Sequence, residues 1–138
     1  MDILNKIKVV ENSDVSLYCY PDYGIVHHIM HRFVYGDTFR NLLTKGADVF
    51  IQYNCNKWLS DDKSSSALRQ EDLEWGQQEW EPRVLKAGWD YWAMVMPEQI
   101  LGQINRRKLV DRYKSQGVDV EVFSDVSEAF DWLTMEPA

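Results

Sequence analysis

The stretch Lys57–Gly88, KWLSDDKSSSALRQEDLEWGQQEWEPRVLKAG, decides the fold. Lys57–Ser60 reads as a short apolar strand, a polar serine-rich loop follows, and the spacing predicts a helix from about Gln70 to Ala87. Glu71 and Asp72 lie near the positive end of that helix's dipole, and Gly88 stands where a helix can stop. A strand that feeds a helix in this way is half of a crossover between parallel strands.

The strand that completes the crossover is Trp89–Met96 (WDYWAMVM), whose nearly continuous apolar run marks a central strand covered on both faces. Pro97 is placed to open the next helix, with Ile100, Leu101, Ile104, Leu109, Val110 and Tyr113 as its apolar positions and Gly117 at its end. Val118–Phe123 alternates like a half-buried strand. Asp125, with Glu128 three residues on, resembles a capping box and opens a last helix that turns Val126, Ala129, Phe130 and Leu133 inward.

Upstream of Lys57, Asp37 is the expected cap of a helix that carries Phe39, Leu42, Leu43, Gly46, Ala47, Phe50 and Tyr53 along one face. Before it, Lys6–Glu11, Val15–Tyr20 and Ile25–Phe33 read as three strands of an antiparallel meander, with Pro21–Gly24 (PDYG) as a turn. The expected order is βββαβαβαβα. It describes an α/β single domain over residues 1–138, a mixed β-sheet with helices packed on it.

Composition narrows the function. A chain of 138 residues is most simply one domain that buries roughly two-thirds of its unfolded surface. A net charge of −7 argues against a nucleic-acid partner, whose readers concentrate basic charge on one face. The one basic run, Arg106–Arg107–Lys108, reads as a solvated helix face. Cys19 and Cys55 are the only cysteines and lack C-x-x-C spacing, so reduced thiols and a cytoplasmic location are expected. The N-terminus lacks the apolar core of a leader, and no run approaches the roughly 20 apolar residues of a membrane span.

Three histidines in HHIMH invite a metal. On a strand, however, His27 and His31 lie about 13 Å apart and His28 points to the other face, too far for one ion. No metal or other cofactor is expected, and the histidines read as partly exposed sheet residues. Ser60, Asp61 and Asp62 could form a nucleophile beside a base, but no histidine is close in sequence and no G-x-S-x-G elbow is present. Ser60 and Asp61 read instead as tying down the strand end through backbone bonds. Arg83 has Asp72, Glu79 or a neighbouring strand as candidate partners; Asp61 with Arg83 reads first as an ion pair that fixes the loop, and otherwise as the pair left for ligand or enzyme chemistry.

At about 100° per residue, Leu73, Trp80, Val84 and Ala87 share one side of the predicted helix, while Trp75, Pro82 and Leu85 turn away from it. Pro82 should kink the helix, because it removes a hydrogen bond and crowds the preceding turn. Trp75 is then either the centre of an outward patch or a peripheral core residue, covered by the kink or by the serine loop.

WLSDD, then DLEWGQQEWEPR, then AG before a strand ending in MP resemble the SpoIIAA-like domains of the STAS/SEC14 family, over about Lys6 to Leu133. The resemblance implies a mixed sheet with packed helices and a binding role. Relatives in the broader STAS group act as phosphorylation-switched partners of regulatory kinases and sigma-factor inhibitors, and SEC14-type relatives bind lipid. The phosphorylated serine of the switching branch lies in a D-S-S-G-like sequence. The corresponding loop here, Ser60–Ser66, reads DKSSSAL beyond Asp61, which makes Ser60, Ser64, Ser65 and Ser66 the candidate phosphorylation positions.

The expected function is a non-enzymatic regulatory or protein-interaction module, acting through the serine loop and Trp75 on a protein partner or in a homodimer. The alternative is a carrier of a small apolar or lipid-like ligand in an aromatic pocket near Trp58, Trp75 and Trp80.

Overall fold

Short β-branched segments pair first with their sequence neighbours. In the computed structural model, which describes residues 5–136, β1 (Ile7–Glu11), β2 (Val15–Tyr20) and β3 (Ile25–Met30) form the antiparallel meander. Then β4 (Lys57–Asp61), β5 (Tyr91–Val95) and β6 (Asp119–Phe123) add parallel to β3, giving a six-stranded mixed sheet in the order β1-β2-β3-β4-β5-β6. The chain is a single α/β domain whose second half alternates strand and helix, as its sequence implies.

Each parallel strand is added on the same side of the last one. Right-handed crossovers then place every connecting helix on one face of the sheet. That face holds the larger core, where Phe39, Leu42 and Phe50 of α1 (Gly36–Gln52), Trp80 and Val84, and Val110 and Tyr113 of α4 (Ile100–Ser115) meet Leu17, Trp58, Trp92 and Met94. The last helix, α5 (Val126–Met135), has no further strand to reach and covers the opposite face, with Ala129 and Leu133 against Ile25, Leu59, Ala93 and Val95. Strand alternation divides the two cores: even-numbered residues of β3, β4 and β5 face the three crossovers and odd-numbered ones face α5.

The local readings hold best where one residue settles them. All six apolar or small positions from Phe39 to Phe50 on the α1 stripe are buried. Gly46 is there because a β-carbon at that position would come within 2.5 Å of the Trp58 ring. Asp125 caps α5 by accepting from the Ser127 N–H at 2.6 Å. Gly88 takes φ +98° just beyond the helix that ends at Lys86.

Several boundaries differ. Asp37 lies in the first turn of α1 but does not cap it: Asp72, from a later helix, accepts the Gly36 N–H at 3.0 Å. Pro97 precedes α4 rather than opening it: Glu98 N–H is bound to Lys63 O, and Gln99, still extended, stands at the helix's N-cap. The predicted 70–87 helix is present as α2 (Gln70–Trp75), a π turn (Gly76–Trp80) and α3 (Glu81–Lys86) without a break. The π turn widens the helix just before Pro82, which falls at the second position of α3. Ala87 is exposed rather than inward.

The largest departure is in α4. Val110 and Tyr113 are buried as expected, but Ile100, Leu101 and Ile104 are 73%, 71% and 52% exposed, and Arg106 is fully buried. Arg106 and Ile104 stand about 200° apart around a helix, so burying one turns out the other. Gly102 reinforces that setting: a β-carbon there would come within 2.7 Å of Pro97 and 3.2 Å of the Ser66 backbone. Among the described residues no helix is long and apolar enough to cross a membrane.

Candidate functional site

The C-terminal ends of β3 and β4 bring His28, Trp58, Ser60 and Asp62 onto one face, because His28 is in register with Ser60 and the even positions share a side. Arg106 reaches this cluster from α4. Its Nε donates to Asp62 Oδ2 at 2.7 Å, and its Nη1 and Nη2 donate to Ser66 O (2.9 Å) and Ser65 Oγ (3.3 Å). The basic run is therefore split: Arg106 is an internal clamp, while Arg107 and Lys108 face solvent.

The protons in the cluster can be assigned from its partners. The Trp58 indole N–H is a donor only and meets His28 Nδ1 at 3.0 Å, so Nδ1 accepts and Nε2–H donates to Asp62 Oδ1 at 2.7 Å. Burial pulls the Asp62 carboxyl upward. The Arg106 guanidinium and the bonds from His28 and Arg106 outweigh it and hold the group at about 2. Ser60 Oγ accepts from the Trp92 indole at 2.8 Å. With both His28 nitrogens engaged, neither is placed to take a proton from Ser60.

A cavity of about 60 Å³ lies beside the cluster, bounded by Trp58, Trp80, Trp92 and Tyr113, by Met94, and by Gly76 of the π turn. The helical run over it is tied down on both sides of the π turn. Asp72 holds Gly36 N–H and Arg40 Nε (3.2 Å) of α1, and Glu81 takes a bidentate bond from Arg112 (3.0 Å each) with Gln116 alongside (2.8 Å). Trp80, one of the residues that wall the cavity, has a buried indole nitrogen with no hydrogen-bond partner.

Of the residues singled out from sequence, Trp58, Ser60 and Trp80 meet at this cavity, and Asp61, Trp75, Pro82 and Arg83 do not line it. Asp61 accepts from Lys63 N–H at 3.3 Å, a backbone bond at the strand end, and burial pushes its carboxyl up. Ser60 binds an indole rather than backbone. Arg83 pairs with Asp48 of α1 at 2.8 Å, not with Asp72, Glu79 or a strand, and the structure records no contact between it and Asp61. Trp75 is half-buried, edge-on to Phe39 at 6.3 Å and beneath the Arg40 guanidinium at 5.7 Å. Both contacts come from α1, which makes it a residue at the edge of the core. The π turn explains this: i→i+5 bonding brings Trp75 and Trp80 to the same groove, which a uniform 100° wheel separates.

His27 and His28 are buried rather than partly exposed, at 4% each. Among the described residues no three His, Cys, Asp or Glu side chains could jointly hold a metal ion. The four candidate serines differ in access. Ser60 and Ser65 are buried, Ser66 is half-buried, and Ser64 is exposed in a turn closed by Ser65 N–H to Asp62 O at 2.9 Å.

That turn connects the cluster to the surface. Its loop packs on the N-terminal half of α4 through Arg106 to Ser66, Leu68 N–H to Asn105 Oδ1 (3.3 Å), and the close approach of Gly102. The exposed side of the same two turns of α4 carries Ile100, Leu101 and Ile104. No family model, curated protein or solved structure matches this chain.

Proposed function

We propose that this chain is a non-enzymatic regulatory module of the SpoIIAA-like kind that docks a protein partner on the N-terminal half of α4. The observation that carries the reading is the outward setting of Ile100, Leu101 and Ile104, three large aliphatic side chains on adjacent turns of a well-packed helix. A monomer gains nothing from such a cluster, and contiguous apolar surface of this kind marks interaction sites.

Charge favours a partner of a particular chemistry. Arg107 and Lys108 follow the aliphatic cluster on the exposed side of α4, in a chain whose net charge is −7. An apolar segment flanked by Asp or Glu complements this face. A second copy fits it poorly. Antiparallel α4 helices crossing at Ile104 would set Ile100 against Lys108 and Leu101 against Arg107, stripping water from unpaired charges.

The serine loop supplies a switch. Ser64 is the exposed serine of the turn that Arg106 fastens to α4, so a phosphate there adds negative charge to the margin of the docking face. The engaged His28 leaves Ser60 without a general base, which supports a binding role over hydrolysis.

Native mass spectrometry of tagged protein drawn from its own cells tests this. Wild type and Asn41→Asp, a change on the exposed face of α1, are expected to carry one partner in fixed ratio, and Leu101→Asp to lose it. Retention of the partner by Leu101→Asp overturns the docking face, and a wild type found only as a homodimer overturns the choice of occupant.

A further inference from the structure

We propose that the cavity under the π turn is a binding site for a small planar molecule, mostly apolar, with one hydrogen-bond acceptor. This goes beyond the docking face on α4 and stands on different residues. Of the buried side-chain nitrogens and oxygens described, two lack a hydrogen-bond partner: His27 Nε2, on the α5 side of the sheet, and Trp80 Nε1, in a residue that walls the cavity. A donor left unpaired in a closed interior is costly, and an acceptor on an incoming molecule satisfies it.

Gly76 points the same way. It is buried at the head of the π turn, on the cavity wall, and a β-carbon added there would meet nothing within 4 Å. Alanine would fit and would suit a helix better than glycine does. The chain forgoes both gains at one position, and the result is open space at a cavity that Trp80 also lines.

The walls define the ligand's shape and charge. Trp58 and Trp80 stand at 90° to each other with centroids 5.1 Å apart, and Trp92 and Tyr113 meet at 81°, so the wall offers both ring faces and ring edges, the surfaces an aromatic ring packs against. The nearby charges, Asp62 and Arg106, are committed to each other, so the ligand needs none. In the state described the space, about 60 Å³, is well below the roughly 150 Å³ that admits benzene. Entry therefore requires the cavity to widen. The bonds of Asp72 and Glu81 lie on either side of the π turn and leave Gly76 to Trp80 as the part of the wall without a side-chain tie.

Titration with acetophenone tests the site, followed by the indole N–H resonance of Trp80 in a nitrogen-proton correlation spectrum and assigned with Trp80→Phe. Ethylbenzene, of similar shape without an acceptor, is the comparison. Saturable movement of the Trp80 resonance is expected, with ethylbenzene binding about tenfold more weakly. Gly76→Leu, which fills the space, is expected to weaken acetophenone about tenfold or more while circular dichroism and the other indole resonances report a folded protein. If Gly76→Leu does not fold, Gly76→Ala serves, with a smaller loss of affinity expected. No saturable shift in wild type overturns the site. Unchanged affinity in the folded glycine variant overturns its location, and equal affinity for the two probes overturns the acceptor.

Discussion

Arg106 Nε lies 2.7 Å from Asp62 Oδ2 with neither side chain in contact with solvent, and this one pair fixes how α4 is rotated on the sheet. It turns Gly102, Val110 and Tyr113 inward, and Ile100, Leu101 and Ile104 outward. The same carboxylate orients His28 and so reaches Trp58. A buried ion pair is weak support for stability in itself, but removing one partner strands the other.

Asp62→Ala should therefore lose about 3–5 kcal/mol, because it leaves the guanidinium buried and unpaired. The double change Asp62→Leu with Arg106→Met should recover most of that loss. Urea unfolding of the three proteins checks it; a single-mutant loss below about 1 kcal/mol would mean that water already reaches the pair.

Acid should destabilise the protein in two windows. Burial lowers the His27 pKa from 6.5 to about 3, so between those values the unfolded chain takes up a proton that the folded one refuses. Stability present above pH 6.5 is then lost as pH falls, with a limiting slope of about 1.4 kcal/mol per pH unit. Asp62 adds a second loss further down, between its ordinary 3.8 and about 2. Melting temperatures from pH 7.5 to 4 should fall less steeply in His27→Gln than in wild type, and parallel curves would remove His27 as the cause.

Two glycines should respond in opposite directions to the same change. Gly46→Ala drives a methyl into the Trp58 ring and should cost about 1–3 kcal/mol. Gly76→Ala meets open space in a helical run and should gain about 0.5–1 kcal/mol. Thermal unfolding of both variants distinguishes a filled site from an empty one.

Cys19 and Cys55 place their sulfurs 3.8 Å apart without a disulfide, both out of solvent. The native protein should react with a thiol reagent only at the rate of unfolding, and both thiols should titrate at once in urea. Fast native labelling of either would contradict the burial.

Much of this fold could be read from sequence because the signals are local. The α1 stripe needs only the spacing from Phe39 to Phe50, and the parallel half needs only strands that alternate with helices. The site was less legible, because its decisive contacts join distant residues. Nothing near Arg106 in sequence says that Asp62, forty-four positions earlier, will draw it inside against the aliphatic side of its own helix. Strand alternation puts Trp58 and Ser60 on one face and was signal enough for that pair, but His28 joins them only through the register of β3 on β4. Trp75 stayed open between an outward patch and the edge of the core for a different reason: a uniform helical wheel cannot register the extra residue of the π turn between it and Trp80.

The docking face on α4 is tested most directly by a photo-crosslinking amino acid in place of Ile104, with the same group at Asn41 on α1 as the control, in cells that make the protein. The expected result is a discrete adduct at position 104, absent at 41, joined to an acidic, apolar segment of a second protein. Equal labelling at both positions, no adduct at 104, or an adduct only to another copy of this chain would contradict it.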